Sequence, residues 1–166
     1  MPTLRVSKLA NNALYFTTLT VKHWYHIFDR HNRWQILADS IKHCQQHKHL
    51  QVYAYVFMLN HLHLIVGSPD IAGFLRDFKA HTSKHLLKNI KETEPVIFDL
   101  FKNEDGSSSF WKDGNQPKIL ESENFTQQKI NYVHNNPVAK QYVLSPEHWK
   151  WSSANPHSEI RITAFE

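Results

Sequence analysis

One six-residue segment constrains the fold of this chain more than any other: residues 61–66, which read HLHLIV. In a β-strand, successive side chains point to opposite faces of the sheet. The alternation therefore predicts a strand with both histidines on one face and with Leu62, Leu64 and Val66 on the other. We expect this strand to bury its aliphatic face and to present two imidazoles on the opposite face.

Three further segments have strand character. Residues 13–21 are rich in aromatic and β-branched side chains, and residues 52–59 are apolar at consecutive positions. Residues 62–66 follow the second segment, either as its partner in a hairpin or as the continuation of one bent run. Ile119 and Leu120 are expected to begin or end a short strand.

Helices are predicted where apolar residues recur at spacings of three and four. One begins after Asn32, its predicted cap, and ends near Lys48. Another runs from Glu123 to about Asn136, where Pro137 is expected to end it. The order of strands and helices predicts an α+β fold, a ferredoxin-like antiparallel sheet with helices packed on it.

A helix with two contrasting faces is predicted between these, starting after Asp70. Its apolar stripe consists of Ile71, Phe74, Leu75, Phe78, Leu86 and Ile90. Its opposite face carries Arg76, Lys79, Lys84 and Lys88. The whole chain holds 19 Lys and Arg against 15 Asp and Glu, a net charge of +4 at pH 7, and this helix concentrates the excess. The basic face indicates a polyanionic partner; the alternative is an ordinary solvated helix face.

Length and composition limit the class of protein. The 166 residues, 41% of them hydrophobic and 20% charged, are typical of a globular chain. We expect one catalytic domain over residues 1–166, with a C-terminal extension from about residue 138. The single cysteine, Cys44, favours a reducing compartment. Residues 1–5 lack a signal-peptide core, and no apolar stretch is long enough for a bilayer, so a cytoplasmic protein without membrane contact is expected.

The two histidines, His61 and His63, are candidate metal ligands. Side chains at i and i+2 of a strand can reach one ion, and neutral imidazole binds transition metals such as Mn²⁺. An isolated H-x-H is more often a pair of half-buried histidines under a helix, which is the alternative here. Position 65 is Ile, so the H-x-H-x-H of histidine-triad hydrolases is absent, and no H-E-x-x-H zinc helix occurs.

Tyr132 is a candidate nucleophile. It precedes Asn136 by four residues, which places both on one face of the last predicted helix if that helix persists to Asn136. A tyrosine phenolate can attack phosphorus, and a nearby divalent cation can polarise the phosphate. The alternative is a tyrosine at the edge of an apolar stripe.

Five segments in this order resemble the single-tyrosine HUH transposases, and most closely the branch of REP-associated tyrosine transposases. They are residues 58–66 (MLNHLHLIV), 78–84 (FKAHTSK), 110–114 (FWKDG), 132–138 (YVHNNPV) and 149–153 (WKWSS). The match spans most of the chain. The family commonly has Pro where this chain has Leu59, a change beside the histidines that leaves them in place.

The resemblance implies a fold, a metal and a reaction. It implies a ferredoxin-like fold and a Mg²⁺ or Mn²⁺ site formed by His61, His63 and Asn136. It also implies that Tyr132 cleaves single-stranded or hairpin DNA through a 5′-phosphotyrosine intermediate, as a single-strand endonuclease and strand transferase of a bacterial-type cell. Whether such an active site is completed in a monomer or across a homodimer stays open.

DNA contacts are expected from the basic helix and from the segment near residue 111. Arg76, Lys79, Lys84, Lys88 and Lys112 are the predicted DNA-binding side chains. Trp111 is a predicted stacking platform for a base, with a core anchor as the alternative. Two other functions remain as alternatives: a catalytically inactive descendant that binds hairpin DNA, and a metal-dependent phosphoesterase that acts on small molecules.

Overall fold

A computed structural model of the chain describes residues 13–114 and 116–165. Its strands are β1 (Leu14–Thr20), β2 (Gln51–Phe57), β3 (His61–Gly67) and β4 (Lys118–Leu120). Its α-helices are α1 (Arg33–His47), α2 (Ile71–Thr93), α3 (Pro95–Phe98) and α4 (Glu123–Ala139), and short 3-10 turns lie at Lys22–Trp24, Asp99–Phe101 and Pro146–His148. The strands form one antiparallel sheet in the order β2-β3-β1-β4, which confirms the predicted α+β, ferredoxin-like arrangement.

Strands β2 and β3 form a hairpin, so the alternative of one bent run is wrong. Phe57 pairs with Leu62 across the turn. On its other side β3 pairs with β1, where Thr18 lies opposite His63 and Thr20 opposite His61. This register brings the threonine side chains of β1 to the histidine face of β3.

The aliphatic face of β3 packs under α1 and α2. Leu62, Leu64 and Val66 are fully buried in the larger hydrophobic core, as the alternation predicts. All six residues of the predicted α2 stripe are buried in the same core. Asp70 caps α2 by accepting a hydrogen bond from the backbone N–H of Gly73 at 3.0 Å. Hydrophobic burial therefore fixes the orientation of α2 and turns its basic residues outward.

Helix α4 covers the histidine face of the sheet, so the histidines lie under a helix, as the alternative interpretation also predicts. Ile65 points to the same side as the histidines and packs with Ile130 and Val133 of α4 in a second, smaller cluster. His63 retains only 5% exposure. Burial of this apolar cluster favours the position of α4, which also encloses the imidazole of His63.

Two predictions about helix ends are wrong. Asn32 precedes α1, but its backbone is left-handed (φ 59°) and its side chain makes no capping hydrogen bond. Pro137 lies inside α4 instead of ending it. The proline falls in the last turn, and the helix continues through the hydrogen bond from Lys140 N–H to the Asn136 carbonyl at 3.1 Å. Asn136 therefore keeps its helical position relative to Tyr132.

The C-terminal segment packs against the edge of β2. Phe57 N–H donates to the Trp151 carbonyl at 2.8 Å, and Ser153 N–H donates to the Tyr55 carbonyl at 3.0 Å. The Trp149 indole donates to the Phe57 carbonyl at 2.9 Å. These bonds protect a strand edge that would otherwise expose unpaired backbone groups.

Some expectations concern positions that are not described. Residues 1–5, on which the expectation about a signal peptide depends, lie outside the described residues, as does Asn115. Phe110 and Trp111, in the segment near residue 111, are buried. Across the ranges that are described, no helix has the length and apolar character needed to cross a membrane.

Candidate functional site

A cleft of about 340 Å³ opens on the α4 face of the sheet, where β1, the β2–β3 turn and the end of α4 meet. His61, His63, Tyr132 and Asn136 all line it. The chain thus brings together the four residues that the sequence singled out for metal binding and nucleophilic attack, although they come from two segments about seventy residues apart in the sequence.

The imidazole of His61 is oriented by its neighbour Asn60. The two side chains are joined by a hydrogen bond of 2.7 Å between His61 Nδ1 and Asn60 Oδ1. The amide nitrogen of Asn60 donates to the backbone carbonyl of Trp24 at 3.1 Å, which fixes the direction of the amide. Because Asn60 Oδ1 can only accept, Nδ1 of His61 carries the proton and Nε2 keeps a lone pair.

His63 presents a buried nitrogen without a protein partner. Its Nδ1 lies 2.7 Å from the hydroxyl of Thr18, while its Nε2 is buried and makes no hydrogen bond. The Oδ1 atom of Asn136 is likewise buried and without a partner. Leaving a buried polar atom unsatisfied is unfavourable. Asn136 Oδ1 is an acceptor, and His63 Nε2 is one in the tautomer whose Nδ1–H donates to the Thr18 hydroxyl. In that tautomer the two atoms that line one cleft match a ligand that accepts electron pairs.

Both imidazoles are neutral at physiological pH. Burial lowers the pKa of His61 to about 4, and the positive charge of Lys140 contributes to the shift. Burial lowers the pKa of His63 to about 3, with smaller contributions from His61 and Lys129. The two ring centroids lie 4.8 Å apart. Neutral imidazole is the form that binds a metal ion, so no proton has to be removed from either ring near pH 7.

The donor set fits a divalent cation such as Mn²⁺ or Mg²⁺. Within residues 13–114 and 116–165, no three His, Cys, Asp or Glu side chains converge in a way that would hold a metal ion, so a third protein ligand beside the two histidines would be of another type. The amide of Asn136 adjoins His61 and supplies an oxygen. Two nitrogens and one oxygen leave further coordination positions for water or phosphate oxygens.

Tyr132 stands at the mouth of this cleft with 48% exposure. Its ring centroid lies 5.4 Å from that of His63, in an edge-to-face arrangement. Asn136 lies one helical turn further along α4, because Pro137 does not break the helix. The hydroxyl of an exposed, edge-packed tyrosine is accessible to a substrate that enters the cleft.

Lys129 of α4 and Lys140, the residue directly after α4, add positive charge to the site, and the sequence reasoning missed both. Lys129 Nζ lies 5.2 Å from the centre of the Tyr132 ring. Lys140 lines the cleft. Helical spacing is the signal that would have found them, since Lys129 precedes Tyr132 by three residues and Lys140 follows Asn136 by four.

The basic helix α2 does not join this cleft. It packs on the face of the sheet opposite to His61 and His63, and its lysines and arginine point away from the sheet. Lys79 is partly exposed, and burial lowers its pKa while Asp113 opposes that shift. Arg76, Lys84 and Lys88 are exposed. These side chains form a separate basic surface, on which DNA contact stays a prediction.

Trp111 lies in the core and Lys112 lies near the cleft. The Trp111 ring retains 7% exposure, and its indole N–H donates to the Thr82 hydroxyl at 3.0 Å. This burial favours the core-anchor interpretation over a stacking platform. Lys112 Nζ lies 4.2 Å from the centre of the Trp24 ring. Trp24 lines the cleft with 57% exposure, and no motif in the sequence pointed to it.

No model of a known protein family matches this sequence, and no curated protein matches it. A REP-associated tyrosine transposase, solved bound to a REP hairpin, has a TM-score of 0.65 and 16% sequence identity, over 92% of this chain and 82% of that chain. A putative transposase from Deinococcus radiodurans R1 has a TM-score of 0.48 and 17% identity, over 74% and 88%. The first likeness shows that this chain shares the fold of a REP-associated tyrosine transposase.

Proposed function

We propose that this protein is a transposase that cleaves and rejoins single-stranded or hairpin DNA through Tyr132. The observation that carries the proposal is the cleft itself, where an exposed tyrosine adjoins a neutral histidine pair, and where His63 Nε2 and Asn136 Oδ1 are buried without partners. The fold shared with a REP-associated tyrosine transposase supports it, since that protein was solved on a DNA hairpin.

Tyr132 is the nucleophile in this proposal. Its phenolate oxygen attacks the phosphorus of a phosphodiester, and a new O–P bond forms while the bond from phosphorus to the 3′ oxygen breaks. The 3′ oxygen leaves and takes up a proton, so the products are a 5′-phosphotyrosine and a free 3′-hydroxyl. Attack by another 3′-hydroxyl reverses the exchange and transfers the strand without ATP, because the bond energy is retained.

His61, His63 and Asn136 would hold a Mg²⁺ or Mn²⁺ ion, which when bound supplies a Lewis acid that polarises the scissile phosphate. Asn60 and Thr18 keep the two imidazoles oriented through their Nδ1 atoms. Lys129, whose ammonium group lies 5.2 Å from the centre of the Tyr132 ring, would attract the negative charge of the phosphate.

The geometry of the cleft favours an unpaired strand. The reactive groups lie between the sheet and the end of α4, and His63 is 5% exposed. A backbone held in regular duplex cannot enter such a cleft without distortion. A single strand, or the foot of a hairpin, can bend its phosphate toward Tyr132.

Covalent capture tests this function. Fluorescently labelled single-stranded and hairpin DNA is incubated with the protein in Mn²⁺, and the products are separated on a denaturing gel. We expect a slowly migrating adduct that is lost in Tyr132→Phe, in His61→Ala and on addition of chelator. Tyr142→Phe is the matched control, because Tyr142 lines the same cleft and is similarly exposed at 42%.

Other outcomes assign a different function. An adduct that persists in Tyr132→Phe would place the nucleophile at another residue. Hairpin binding without any adduct would identify a binding protein that has lost catalysis. Metal-dependent hydrolysis of a small phosphodiester, unaffected by Tyr132→Phe, would identify a phosphoesterase.

A further inference from the structure

Trp24 is held out of the core by a constrained backbone. The side chain is 57% exposed, although an indole of this size gains much from burial. His23 and Trp24 both have left-handed backbone angles, with φ of 55° and 56°. Such angles are unfavourable for residues other than glycine and persist only where the surroundings impose them.

Hydrogen bonds on both sides impose this conformation. Trp24 N–H donates to the Val21 carbonyl at 2.8 Å, and Lys22 N–H donates to the Phe110 carbonyl at 2.9 Å. The Lys22 ammonium group also donates to Asn103 Oδ1 at 2.7 Å. The segment is thereby tied to the buried Phe110 region and presents the Trp24 ring from a rigid support.

Asn60 connects this ring to the metal site. Its amide nitrogen donates to the Trp24 carbonyl, and its amide oxygen receives Nδ1–H of His61. One side chain therefore fixes both the backbone below the indole and the orientation of a proposed metal ligand. The backbone below the indole and the ring of His61 are therefore held together by two hydrogen bonds through one side chain.

Positive charge accompanies the indole. Lys112 Nζ lies 4.2 Å from the centre of its ring, and Lys140 lines the same cleft. The other exposed aromatic ring of the cleft apart from Tyr132 is Tyr142, which already stacks on Trp149 at 5.6 Å. An exposed ring with an ammonium group over one face matches a ligand that combines aromatic rings with phosphates, which is a nucleotide: a base can stack on the ring while the ammonium group contacts a phosphate.

We propose that Trp24 is a stacking platform for one unpaired base next to the phosphate that Tyr132 attacks, with Lys112 contacting a phosphate of the same strand. This inference rests on the proposed function, since it takes single-stranded DNA as the ligand of the cleft. Stacking fixes the nucleotide beside the scissile bond and thus selects which phosphate reaches Tyr132.

An abasic scan combined with substitution at Trp24 tests the platform. Hairpin DNA with a single-stranded flank is prepared with one abasic residue at each flank position in turn. Dissociation constants are measured by fluorescence anisotropy in chelator, so that covalent reaction does not contribute. The proteins are the natural chain, Trp24→Leu, Trp24→Phe and the control Val96→Ala, a residue of α3 that is 79% exposed. Circular dichroism verifies that each variant is folded.

We expect one abasic position to weaken binding by the natural chain roughly tenfold. Trp24→Leu should weaken binding of intact DNA by a similar factor and should remove the penalty at that position alone. Trp24→Phe, which keeps a smaller ring and is the variant to use if Trp24→Leu does not fold, should retain part of the penalty. Val96→Ala should behave like the natural chain.

The inference is overturned if every abasic penalty is the same in the Trp24 variants as in the natural chain, or if the natural chain does not bind the flank. Adduct formation by Tyr132 distinguishes this failure from a failure of the proposed function. If the adduct forms but the abasic penalties are the same in the Trp24 variants as in the natural chain, only the stacking role of Trp24 is refuted. If one abasic penalty depends on Trp24 but no adduct forms, the stacking role of Trp24 is supported and cleavage through Tyr132 is refuted.

Discussion

The two faces of the sheet differ in what they bury. The face under α1 and α2 is covered almost entirely by aliphatic and aromatic side chains. The face under α4 has a smaller apolar cluster, and beside it lie His63 and Asn136, each with a buried polar atom that has no protein partner. The α1–α2 face also holds one such atom, Thr17 Oγ1, whereas the two atoms on the α4 face line one cleft. Apolar burial contributes stability, and unsatisfied polar atoms reduce stability and are retained where a ligand needs them.

Neighbouring residues of β3 belong to different faces, so stability and chemistry are separable by substitutions one position apart. His63 points into the cleft, and Leu64 points into the larger core. A substitution on the cleft side of β3 should therefore remove the activity of the site and leave the fold intact. A substitution on the core side should destabilise the fold and leave the site intact. Four predictions test this division.

The largest expected effect is the loss of metal binding and of adduct formation in His63→Gln. The substitution removes the buried nitrogen of the proposed metal site but keeps a side chain that fills part of the space. We expect Mn²⁺ binding, measured by calorimetry, and adduct formation on the denaturing gel both to be lost. Adduct at the natural level would show that the cleft does not need this imidazole.

Leu64→Ala should have the opposite signature. Leu64 is fully buried, and truncation of a buried leucine lowers the free energy of unfolding by about 3 kcal/mol. For a chain of this size, Tm should fall by about 6–12 °C in a thermal melt. Adduct formation per folded molecule at 25 °C should be unchanged. A loss of adduct comparable to that of His63→Gln would show that the two faces are coupled.

Glu94 provides a pH test of the α1–α2 face. Burial raises the pKa of its carboxyl group, but hydrogen bonds and charge from Arg30 and Arg33 outweigh burial and leave the pKa below its ordinary value of 4.5. A carboxyl with a lowered pKa in the folded state stabilises the fold above pH 4.5, and this contribution is lost as the pH falls further. Urea denaturation of Glu94→Gln should show about 2 kcal/mol less stability at pH 7.

The difference between Glu94→Gln and the natural chain should shrink as the pH falls below 4.5, because the carboxyl of the natural chain then becomes protonated. Glu92→Gln is the matched control, since Glu92 is 63% exposed and faces Lys88 at 3.9 Å. It should change stability by less than about 0.5 kcal/mol. A pH-independent difference for Glu94→Gln would contradict the assigned role of the two arginines.

The smallest expected effects are changes in the salt dependence of DNA binding when pairs of lysines on the two faces are replaced. Replacing Lys129 and Lys140 by Gln removes two charges at the cleft, and replacing Lys84 and Lys88 removes two from α2. For single-stranded DNA, each lost phosphate contact lowers the log–log salt slope by about 0.7. We expect the cleft pair to lower the slope by about 1.4 and the α2 pair to lower it less. Equal changes would show that DNA contacts both faces.

Several features of the site follow from the sequence because they depend on geometry within one element. The two-residue period of β3 separates the histidines from Leu62, Leu64 and Val66. The four-residue spacing in α4 places Tyr132 and Asn136 on one side of that helix. The apolar stripe of α2 likewise marks its buried face. Each of these features follows from the periodicity of a strand or a helix, which relates residues only a few positions apart in the sequence.

Other features were decided by contacts between distant segments. The sequence placed the end of the last helix before Pro137, but packing of Val133 and Ile130 against the sheet holds the helix through that turn. The sequence also predicted Trp111 as a stacking platform for a base, but the Trp111 ring is buried against Thr82. The exposed tryptophan ring at the cleft is that of Trp24.

The sequence by itself therefore determined which residues can do chemistry and which side of its own strand or helix each occupies, because backbone repeats are local. Only the tertiary structure decided what covers the histidine face, which tryptophan remains exposed, and that the basic helix lies across the sheet from the cleft. The physical reason is that elements far apart in the chain bury their apolar surfaces against one another. The arrangement of their faces therefore depends on how all of them pack together, and no single element specifies it.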